Sequence, residues 1–440
     1  MDPVFLARLQ FAVTIGFHYI FPPITLGLTA LISIYLGLHL KTQNELYDKI
    51  AQFWIKILVV VFSMGVATGI VMEFQFGTNW EKYSRFVGDI FGAPLAAEGV
   101  FAFFMESTFL GVLIFGKDRV SQKTYFLSSL FVTVGSILSA FWIIAANSWQ
   151  QTPTAYSIVN GRAELTDFFA AVFNPSTIPR FNHAIVGGWV AGAFFVAGLS
   201  AYLLLKNQHV EFAKKSIKIA LIFALFSSVL QIEMGHIHAV QVTQTQPEKM
   251  AALESMYETR KNAPLVIIGL PNEKEQTIDY EVSIPGLLSL LVGLDTEYEI
   301  KGLNEFKKED QPPKIIPFFS YRIMVGLAFY FTLMALVGVY LYWKDTLSRS
   351  KKYLKLLLYS IPLPVIANEM GWIAAEVGRQ PWIVYHELRT ADAISTVVSA
   401  GEILFSLILF SGLYLVLFAL FIFLISKKMK DGPAMAQGGY

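Results

Sequence analysis

Residues 94–116 read PLAAEGVFAFFMESTFLGVLIFG, a run that is long and apolar enough to cross a lipid bilayer as a helix. Its two charged side chains are Glu98 and Glu106. A carboxylate in the hydrocarbon region is costly, so such residues usually belong to a functional site. On a straight α-helix the two residues would lie about 12 Å apart along the axis and about 80° apart around it. This spacing favours a path through a membrane over a single salt bridge.

The composition extends this interpretation to the whole chain. Hydrophobic residues make up 55% of the sequence and charged residues 15%, far from the balance of a soluble protein. The composition therefore predicts an integral membrane protein. The sequence has no cysteine, which excludes disulfides, thiolate metal sites and cysteine nucleophiles. The N-terminal residues MDPVFLARLQF lack the features of a removable signal peptide, and we interpret them as part of the first membrane helix.

Apolar runs of about 20 residues predict an all-α integral membrane protein with about nine transmembrane helices in a bundle. One long outward loop separates helices six and seven. The predicted organisation is helices one to six in residues 1–235, an extracytoplasmic loop in 236–319, helices seven to nine in 320–430 and a cytoplasmic tail in 431–440. The predicted spans are 9–38, 53–76, 94–116, 124–147, 183–205, 216–235, 320–343, 353–375 and 393–426.

Lysine and arginine residues are distributed unevenly between the two sides of this predicted bundle. If the N-terminus lies outside, the inward segments carry 17 of them and the short outward segments carry 7. Positively charged residues favour the cytoplasmic side of a membrane. The sequence therefore predicts a multi-pass protein with its N-terminus outside and its C-terminus inside.

The long loop of residues 236–319 departs from the otherwise short connections. Long loops in compact proteins usually carry function or are disordered. A helix-like piece, residues 248–259, places Lys249 and Glu254 near the membrane surface, where an amphipathic substrate could meet them. The alternative is a solvated surface helix without a specific role.

Candidate cofactor ligands come from the predicted helices. Of the seven histidines, His18 and His183 lie within apolar helix. A single intramembrane histidine is as often a packing residue as a ligand. His183 and Met324 open two predicted helices that run inward from the outer face, so they begin at the same level. A histidine and a methionine facing each other form an axial pair for a low-spin haem, although a methionine such as Met324, taken alone, is more often a core residue than a ligand.

Other polar residues are predicted at the same level. Glu376 ends the eighth helix, which runs outward, and His18 and Glu98 also fall in the outer half. Beyond Glu376, Arg379 offers a guanidinium group to haem propionates. Because all these candidates gather near the outer loop, the sequence predicts a cofactor cluster close to a substrate site.

Several long blocks carry a family resemblance over nearly the whole chain. The chain resembles subunit I of the cytochrome bd-type quinol oxidases. The blocks that carry the resemblance are RLQFAVTIGFHYIFPPITLG (8–27), GVATGIVMEFQFGTNW (65–80), GDIFGAPLAAEGVFAFFMESTFLG (88–111), LSAFWIIAANSW (138–149), YRIMVG (321–326) and IPLPVIANEMGWIAAEVGRQPW (361–382).

The resemblance implies three haems. His183 and Met324 match the axial ligands of a low-spin haem b, with Arg322 beside it as a propionate or electrostatic partner. His18 matches the ligand of one high-spin haem and Glu376 the ligand of another. One of these two would be haem b and the other haem d, or a third haem b as in relatives that lack haem d. Which residue binds which haem stays open.

The resemblance also implies roles for polar residues around the high-spin haems and in the loop. Glu98 and Glu106 match glutamates in haem contact and proton delivery, and Ser139 and Trp372 match residues that line the same region. In QPEKMAALE, Lys249 and Glu254 match the lysine and glutamate of the quinol-binding loop, here in its short form. The stretch EMGHIHAVQVTQ (233–244) departs from the family pattern, and the role of its two histidines stays open.

The resemblance implies a terminal oxidase of the bacterial cytoplasmic membrane that oxidises quinol outside and reduces O₂ to water at the high-spin pair. Protons for water would come from the cytoplasm, so a proton gradient would form without pumping. The implied partners are subunit II, a small single-helix subunit, membrane quinol and O₂, with no role for nucleic acid.

Three other classes of protein are alternatives to the oxidase. A secondary transporter would also bury carboxylates but usually shows internal repeats. A haem-copper oxidase needs more intramembrane histidines, and a purely structural subunit would not explain the shared depth of the candidate ligands.

Overall fold

The protein is described here as a computed structural model that covers residues 2–433. Residues 434–440, which make up most of the predicted cytoplasmic tail, lie outside the described residues. The described part is mainly helical. Its α-helices are α1 (Pro3–His18), α2 (Phe21–Thr42), α3 (Glu45–Thr78), α4 (Glu81–Ala97), α5 (Phe104–Phe115), α6 (Gln122–Gln151), α7 (Phe168–Val172), α8 (Thr177–Leu205), α9 (Val210–Thr245), α10 (Pro247–Glu254), α11 (Leu287–Gly293), α12 (Ile315–Trp343), α13 (Lys351–Tyr359), α14 (Leu363–Val377) and α15 (Ala400–Asp431).

Nine helical segments within residues 2–433 are long and apolar enough to cross a membrane. They are α1 with α2, α3, α4 with α5, α6, α8, α9, α12, α13 with α14, and α15. The predicted all-α membrane fold and the predicted number of spans are therefore confirmed. The strands form three small antiparallel hairpins in the connections: β1 (Tyr156–Val159) with β2 (Arg162–Leu165), β3 (Leu265–Asn272) with β4 (Thr277–Ile284), and β5 (Trp382–Val384) with β6 (Leu388–Arg389).

Three of the nine spans are not regular α-helices. The first breaks after His18, where Pro22 and Pro23 follow in the first turn of α2. Proline lacks the N–H that would continue the helical hydrogen bonding, so the chain restarts rather than runs on. The eighth breaks in the same way before Pro364. In the third span, residues Glu98–Phe103 form a π-helical turn between α4 and α5.

The observed helices are longer than the apolar runs that predicted them. The sixth predicted span, 216–235, is part of α9, which continues to Thr245, so residues 236–245 of the predicted loop are helical. Polar residues in that extension are buried and hydrogen-bonded, as when Gln241 Nε2 donates to Ser176 Oγ at 2.8 Å. Hydropathy alone therefore placed the end of this helix too early. The last span is an exception, because its helix begins later than predicted, at Ala400 rather than at residue 393.

Small residues allow the central helices to pack closely. A Cβ atom added to Gly27 of α2 would lie 2.7 Å from the carbonyl oxygen of Gly188 in α8. Close approach at small residues is a common way for membrane helices to gain van der Waals contact. Around this pair, one hydrophobic cluster joins α2, α3, α8, α9, α12 and α13.

The longest connections meet at one end of the bundle, which we call the loop end. They are residues 152–176, 246–314 and 378–399. Because successive spans alternate in direction, the start of α1 lies at this end as well. The last connection bonds to the second, where Arg389 Nη2 donates to Asp310 Oδ1 at 2.5 Å. It also bonds to the end of α6, where the backbone N–H of Tyr385 donates to the carbonyl of Gln150 at 2.9 Å.

Candidate functional site

Helix α14 carries one of the four predicted metal ligands, Glu376, and lies next to the other three. At Asn368, the side-chain Nδ2 donates to the carbonyl of Gly187 at 3.3 Å, one turn along α8 from His183. At Gly371, an added Cβ would lie 2.9 Å from Met324 Sδ. At Trp372, the ring centroid lies 5.5 Å from that of Tyr19, the residue after His18. Glu376 follows one turn later. The predicted ligands therefore lie around a segment that spans about 12 Å of the α14 axis.

His18 ends α1 at the helix break. Its Nδ1 lies 2.9 Å from the hydroxyl of Thr68, which fixes the ring orientation and leaves Nε2 pointing elsewhere. The ring lies over Gly69, where an added Cβ would come within 3.2 Å of the His18 Cε1. A ligating histidine commonly has its second ring nitrogen held in this way by a neighbouring hydrogen-bonding group.

His183 and Met324 lie on different helices at the same level of α14. The amide Nε2 of Gln231 lies 3.2 Å from His183 Nδ1, and an added Cβ at Gly235 would lie 3.4 Å from the His183 Cε1. The ring of His238 lies 5.5 Å from that of His183, centroid to centroid. His183 lies in the second turn of α8, deeper than the sequence indicated, because α8 already begins at Thr177.

Glu376 lies in a cluster of cationic and amide side chains at the loop end of the bundle. It forms an ion pair with Arg379 and lies 3.9 Å from Arg180 Nη2. Its Oε1 also accepts from Asn147 Nδ2 at 3.2 Å and from Gln151 Nε2 at 3.0 Å. Two guanidinium groups therefore lie beside the carboxyl group at the position predicted for a ligand.

Lys249, on the loop helix α10, reaches into this cluster. Its side chain is 3% exposed, and Nζ donates to Gln151 Oε1 at 2.5 Å and to Gln246 Oε1 at 2.6 Å. Burial and the nearby Arg180 lower the pKa of Lys249 well below its usual value, although Glu376 opposes this shift. Gln151 therefore bridges the loop lysine and Glu376 with a single side chain.

Glu254, at the other end of α10, pairs with Arg322. Arg322 Nη2 donates to Glu254 Oε2 at 2.8 Å, and Nη1 donates to the carbonyl of Leu253 at 2.7 Å. Burial raises the pKa of Glu254, and the ion pair with Arg322 opposes that shift. Arg322 lies two residues before Met324. Glu254, predicted for the loop site, and Arg322, predicted beside the low-spin haem, thus form one ion pair.

Glu98 and Glu106 each accept a hydrogen bond from a serine of α6. Ser139 Oγ donates to Glu98 Oε1 at 2.6 Å, and Ser136 Oγ donates to Glu106 Oε1. The two serines are three residues apart on α6, so both carboxyl groups face the same stretch of that helix. The π-helical turn begins at Glu98, so the chain between the two glutamates is not the straight α-helix on which the predicted spacing is based.

Some residues of this region were missed in the sequence. Glu369 and Glu73 are carboxylates inside apolar runs, the same signal that identified Glu98, and Glu73 interacts electrostatically with Glu98. Arg180 lies above the ring of Trp372, 5.6 Å from its centroid. No local signal identifies Arg180 or Gln151, because their roles depend on contacts with residues far away in the sequence.

The donor set fits haem better than a metal ion held by protein alone. Among residues 2–433, no three His, Asp or Glu side chains gather as they would around a single ion. The candidate ligands stand singly, as axial haem ligands do. Buried polar atoms without a protein partner in the described chain surround them, which fits a polar group such as a propionate. They include Arg180 Nε, Arg322 Nε, Arg379 Nε, His238 Nε2 and Glu369 Oε1.

This fold and this site define a membrane protein with single histidine, methionine and glutamate donors gathered beneath a docked loop. A sequence model of the family described as cytochrome bd terminal oxidase subunit I matches residues 6–433. The chain belongs to this family.

Individual relatives cover almost the whole chain. The chain is 42% identical over 445 residues to cytochrome bd ubiquinol oxidase subunit 1 of Bacillus subtilis (strain 168), covering 98% of this chain and 94% of that protein. It is 33% identical over 504 residues to cytochrome bd-II ubiquinol oxidase subunit 1 of Escherichia coli (strain K12), covering 99% and 98%. The solved structure of bd oxidase from Geobacillus thermodenitrificans is 29% identical with a TM-score of 0.92, covering 98% of this chain and 99% of that one.

Family membership carries general properties to this chain. It is an integral membrane subunit of a bacterial terminal quinol oxidase, an oxidoreductase that uses haem cofactors and a quinol substrate. Its relatives are named as subunit 1, which implies a subunit II partner. This membership favours the oxidase over the secondary transporter.

Proposed function

We propose that this subunit binds quinol at the loop end, against α10, and that O₂ is reduced to water beside α14. The observation that carries this proposal is that both ends of α10 contact the predicted cofactor level. Lys249 reaches Glu376 through Gln151, with hydrogen bonds of 2.5 and 3.0 Å, and Glu254 bonds Arg322 two residues from Met324. A quinol held by α10 would therefore lie directly above the candidate haem ligands.

The residues that would hold the haems follow from the donor set. His183 and Met324 would hold a low-spin haem b, and His18 and Glu376 would each hold a high-spin haem, one of type b and the other haem d or a third haem b. Arg322 and Arg379 have guanidinium N–H groups to offer propionates. When bound, the haems supply the electron transfer and the four-electron reduction of O₂.

At the quinol site, the chain supplies one base and one carboxyl group. Because its pKa is lowered, the Lys249 amine is a weaker base than that of an exposed lysine. It can therefore hydrogen-bond a quinol hydroxyl without the full cost of a buried charge. Glu254, held in place by Arg322, offers a carboxylate oxygen that has no other partner in the described residues. Together the two residues can orient a molecule with two hydroxyl groups.

Within the bundle, the chain supplies protons through carboxyl and hydroxyl groups. Glu106 bonds Ser136 and Glu98 bonds Ser139, so two acids share one face of α6. One turn toward the end opposite the loops, the hydroxyls of Ser33 and Thr133 lie 3.0 Å apart. Polar groups of this kind inside a bundle commonly mark a proton route. We assign Glu106 to the route and Glu98 to its end beside the oxygen site, with Trp372 lining that site.

The orientation completes the proposal. With the N-terminus and the loop end outside and the C-terminus inside, quinol protons leave outside while the protons for water enter from the cytoplasm. Charge is then separated across the membrane without a pump. A small single-helix subunit is the further partner that we propose beside subunit II.

The reduced-minus-oxidised absorption spectrum of the purified oxidase tests this function. Bands of low-spin and high-spin haem b are expected, and a far-red band would identify haem d at the third site. A spectrum with b-type bands alone would support the alternative, an oxidase of this family without haem d. Absence of all haem bands from an assembled complex would contradict the proposal.

A further inference from the structure

The turn between β5 and β6 touches α10 at the residue before Lys249. Tyr385 and His386 form this turn, and both bond Glu248. The Tyr385 hydroxyl donates to Glu248 Oε2, and His386 Nε2 lies 3.1 Å from Glu248 Oε1. The two carboxylate oxygens thus face two different groups of one hairpin.

Burial changes steeply along this contact. Glu248 is 5% exposed and lies beside the buried Lys249, whereas the side chain of His386 is 52% exposed. The two residues therefore form a direct hydrogen-bonded connection between the interior of the proposed quinol site and the surface. Lys249 interacts electrostatically with Glu248, which places this carboxylate within reach of groups bound at the lysine.

The imidazole is held in place even though it is half exposed. His386 has a φ of +59°, a left-handed conformation that is uncommon outside glycine. Its ring stacks on Tyr385 with centroids 4.0 Å apart, and the ring of Trp382 lies 5.4 Å away. Arg389 in turn lies 4.5 Å above the Trp382 ring. Contacts on several sides thus hold an unfavourable backbone conformation, which is common where a side chain has a specific task.

We propose that Glu248 and His386 release the protons of bound quinol at the loop end, an inference that rests on the proposed quinol site. Oxidation of one quinol to quinone gives up two electrons, which pass to the acceptor of the oxidase, and two protons. Each proton passes in turn from a quinol hydroxyl to the Glu248 carboxylate, then to the His386 imidazole and then to water. The O–H bonds of the quinol break, and both relay residues return to their starting state.

The side chains around the relay suit this task. Burial and the adjacent Glu248 raise the pKa of Tyr385, so the phenol stays protonated and serves as a fixed donor. Histidine can accept and release a proton near neutral pH, which the phenol cannot do. The other titratable and charged groups around the pair are Lys249 on α10, Glu387 and Arg389 on the hairpin, and Tyr156, which interacts with Glu387.

A purely structural clamp is the competing explanation, because the same contact ties α10 to the hairpin. His386→Gln separates the two, since glutamine can still donate to Glu248 but cannot carry a proton. His386→Gly removes the side chain at a backbone conformation that glycine accepts readily. Glu387→Gln removes an exposed charge next to His386 and serves as the matched control.

The experiment measures quinol-driven oxygen consumption by the assembled oxidase against pH, divided by consumption with an artificial electron donor that bypasses quinol. We expect Glu248→Gln and His386→Gln to lower this ratio about tenfold or more, as loss of a proton-transfer group does, with the quinol KM nearly unchanged. Added imidazole should restore the ratio in His386→Gly. In the variants with a lowered ratio, the solvent deuterium isotope effect on quinol-driven oxygen consumption should be larger than in the unaltered oxidase. Glu387→Gln should leave the ratio and the pH profile unchanged.

Other outcomes overturn the inference. A normal ratio and pH profile in His386→Gln, or a higher KM at normal kcat, would show a clamp rather than a relay. Failure of imidazole to restore His386→Gly when the variant retains its haem spectrum would count against the relay as well. Absence of quinol oxidation by the unaltered oxidase would overturn the proposed function together with this inference.

Discussion

The pair of Glu254 and Arg322 shows how one residue controls the charge of another. Both side chains are largely buried, and burial alone favours the neutral carboxyl, whereas the guanidinium 2.8 Å away favours the carboxylate. Removing one partner of such a buried pair usually costs about 3 to 5 kcal/mol of folding free energy, because the other charge is left buried alone. This cost is usually larger than the stability that the intact pair contributes.

Arg322→Gln should therefore raise the pKa of Glu254 further. A carboxyl whose pKa is higher in the folded protein than in the unfolded chain opposes folding when ionised, so the loss of stability appears as the pH rises and vanishes in acid. We expect the Tm of Arg322→Gln, relative to the unaltered oxidase, to be lower at about pH 8 than at about pH 5. The double variant with Glu254→Gln should lose this pH dependence. An Arg322→Gln deficit that is the same at both pH values would contradict the assignment.

Ser136 is the residue that tests how Glu106 works. Ser136→Ala removes the hydroxyl that bonds Glu106 and leaves a buried carboxyl without this partner, at a cost of about 1 to 3 kcal/mol. We expect slower oxygen reduction in single-turnover measurements while the haem content stays normal. Ser128→Ala is the matched control, because the buried Ser128 hydroxyl bonds a carbonyl of its own helix. Loss of haem in Ser136→Ala with normal turnover per haem would make this serine structural.

At the scale of elements, α14 brings the predicted ligands together, and its small residues leave space for them. Gly371→Ala adds a Cβ 2.9 Å from Met324 Sδ. Because the sulfur lies at the flexible part of its side chain, we expect α14 to fold normally and Met324 to move. The spectrum of the low-spin haem should then change or disappear while the high-spin bands persist.

Gly326→Ala is the control for this prediction. It adds the same methyl group to α12, two residues from Met324, at a position with no neighbouring atom within 4 Å among residues 2–433. Its spectrum should match that of the unaltered oxidase. An unchanged low-spin spectrum in Gly371→Ala would remove Met324 from the ligand pair.

The elements also show what a sequence can predict. Apolar runs are local, so nine spans could be counted from them. The break after His18 and the π-helical turn at Glu98 change the direction of side chains without changing hydropathy, and they were not predicted. The level shared by the ligands followed from helix direction, but their surroundings did not. Gln151 and Arg180 take part through contacts with Lys249 and Glu376 that no local pattern encodes.

At the scale of the whole molecule, the bundle has two chemically different ends. The loop end carries three docked connections, and the opposite end carries short connections rich in lysine. Protons released by quinol and protons taken up for water contribute to a gradient only if these ends face opposite sides of the membrane in the predicted sense. The predicted orientation is thus part of the proposed mechanism and not merely a matter of location.

The absence of cysteine from the sequence makes the orientation directly measurable. A single cysteine in place of Tyr280, which is 87% exposed in β4 at the loop end, should react with a membrane-impermeant maleimide in intact cells. Single cysteines in place of Gln43 or Asp118, exposed in connections at the opposite end, should react only after the membrane is permeabilised. The positive-inside distribution of lysine and arginine is the physical reason for this expectation. The reverse labelling pattern would place the quinol site on the cytoplasmic side of the membrane. Quinol oxidation there would release protons inside and oppose the proton gradient rather than build it.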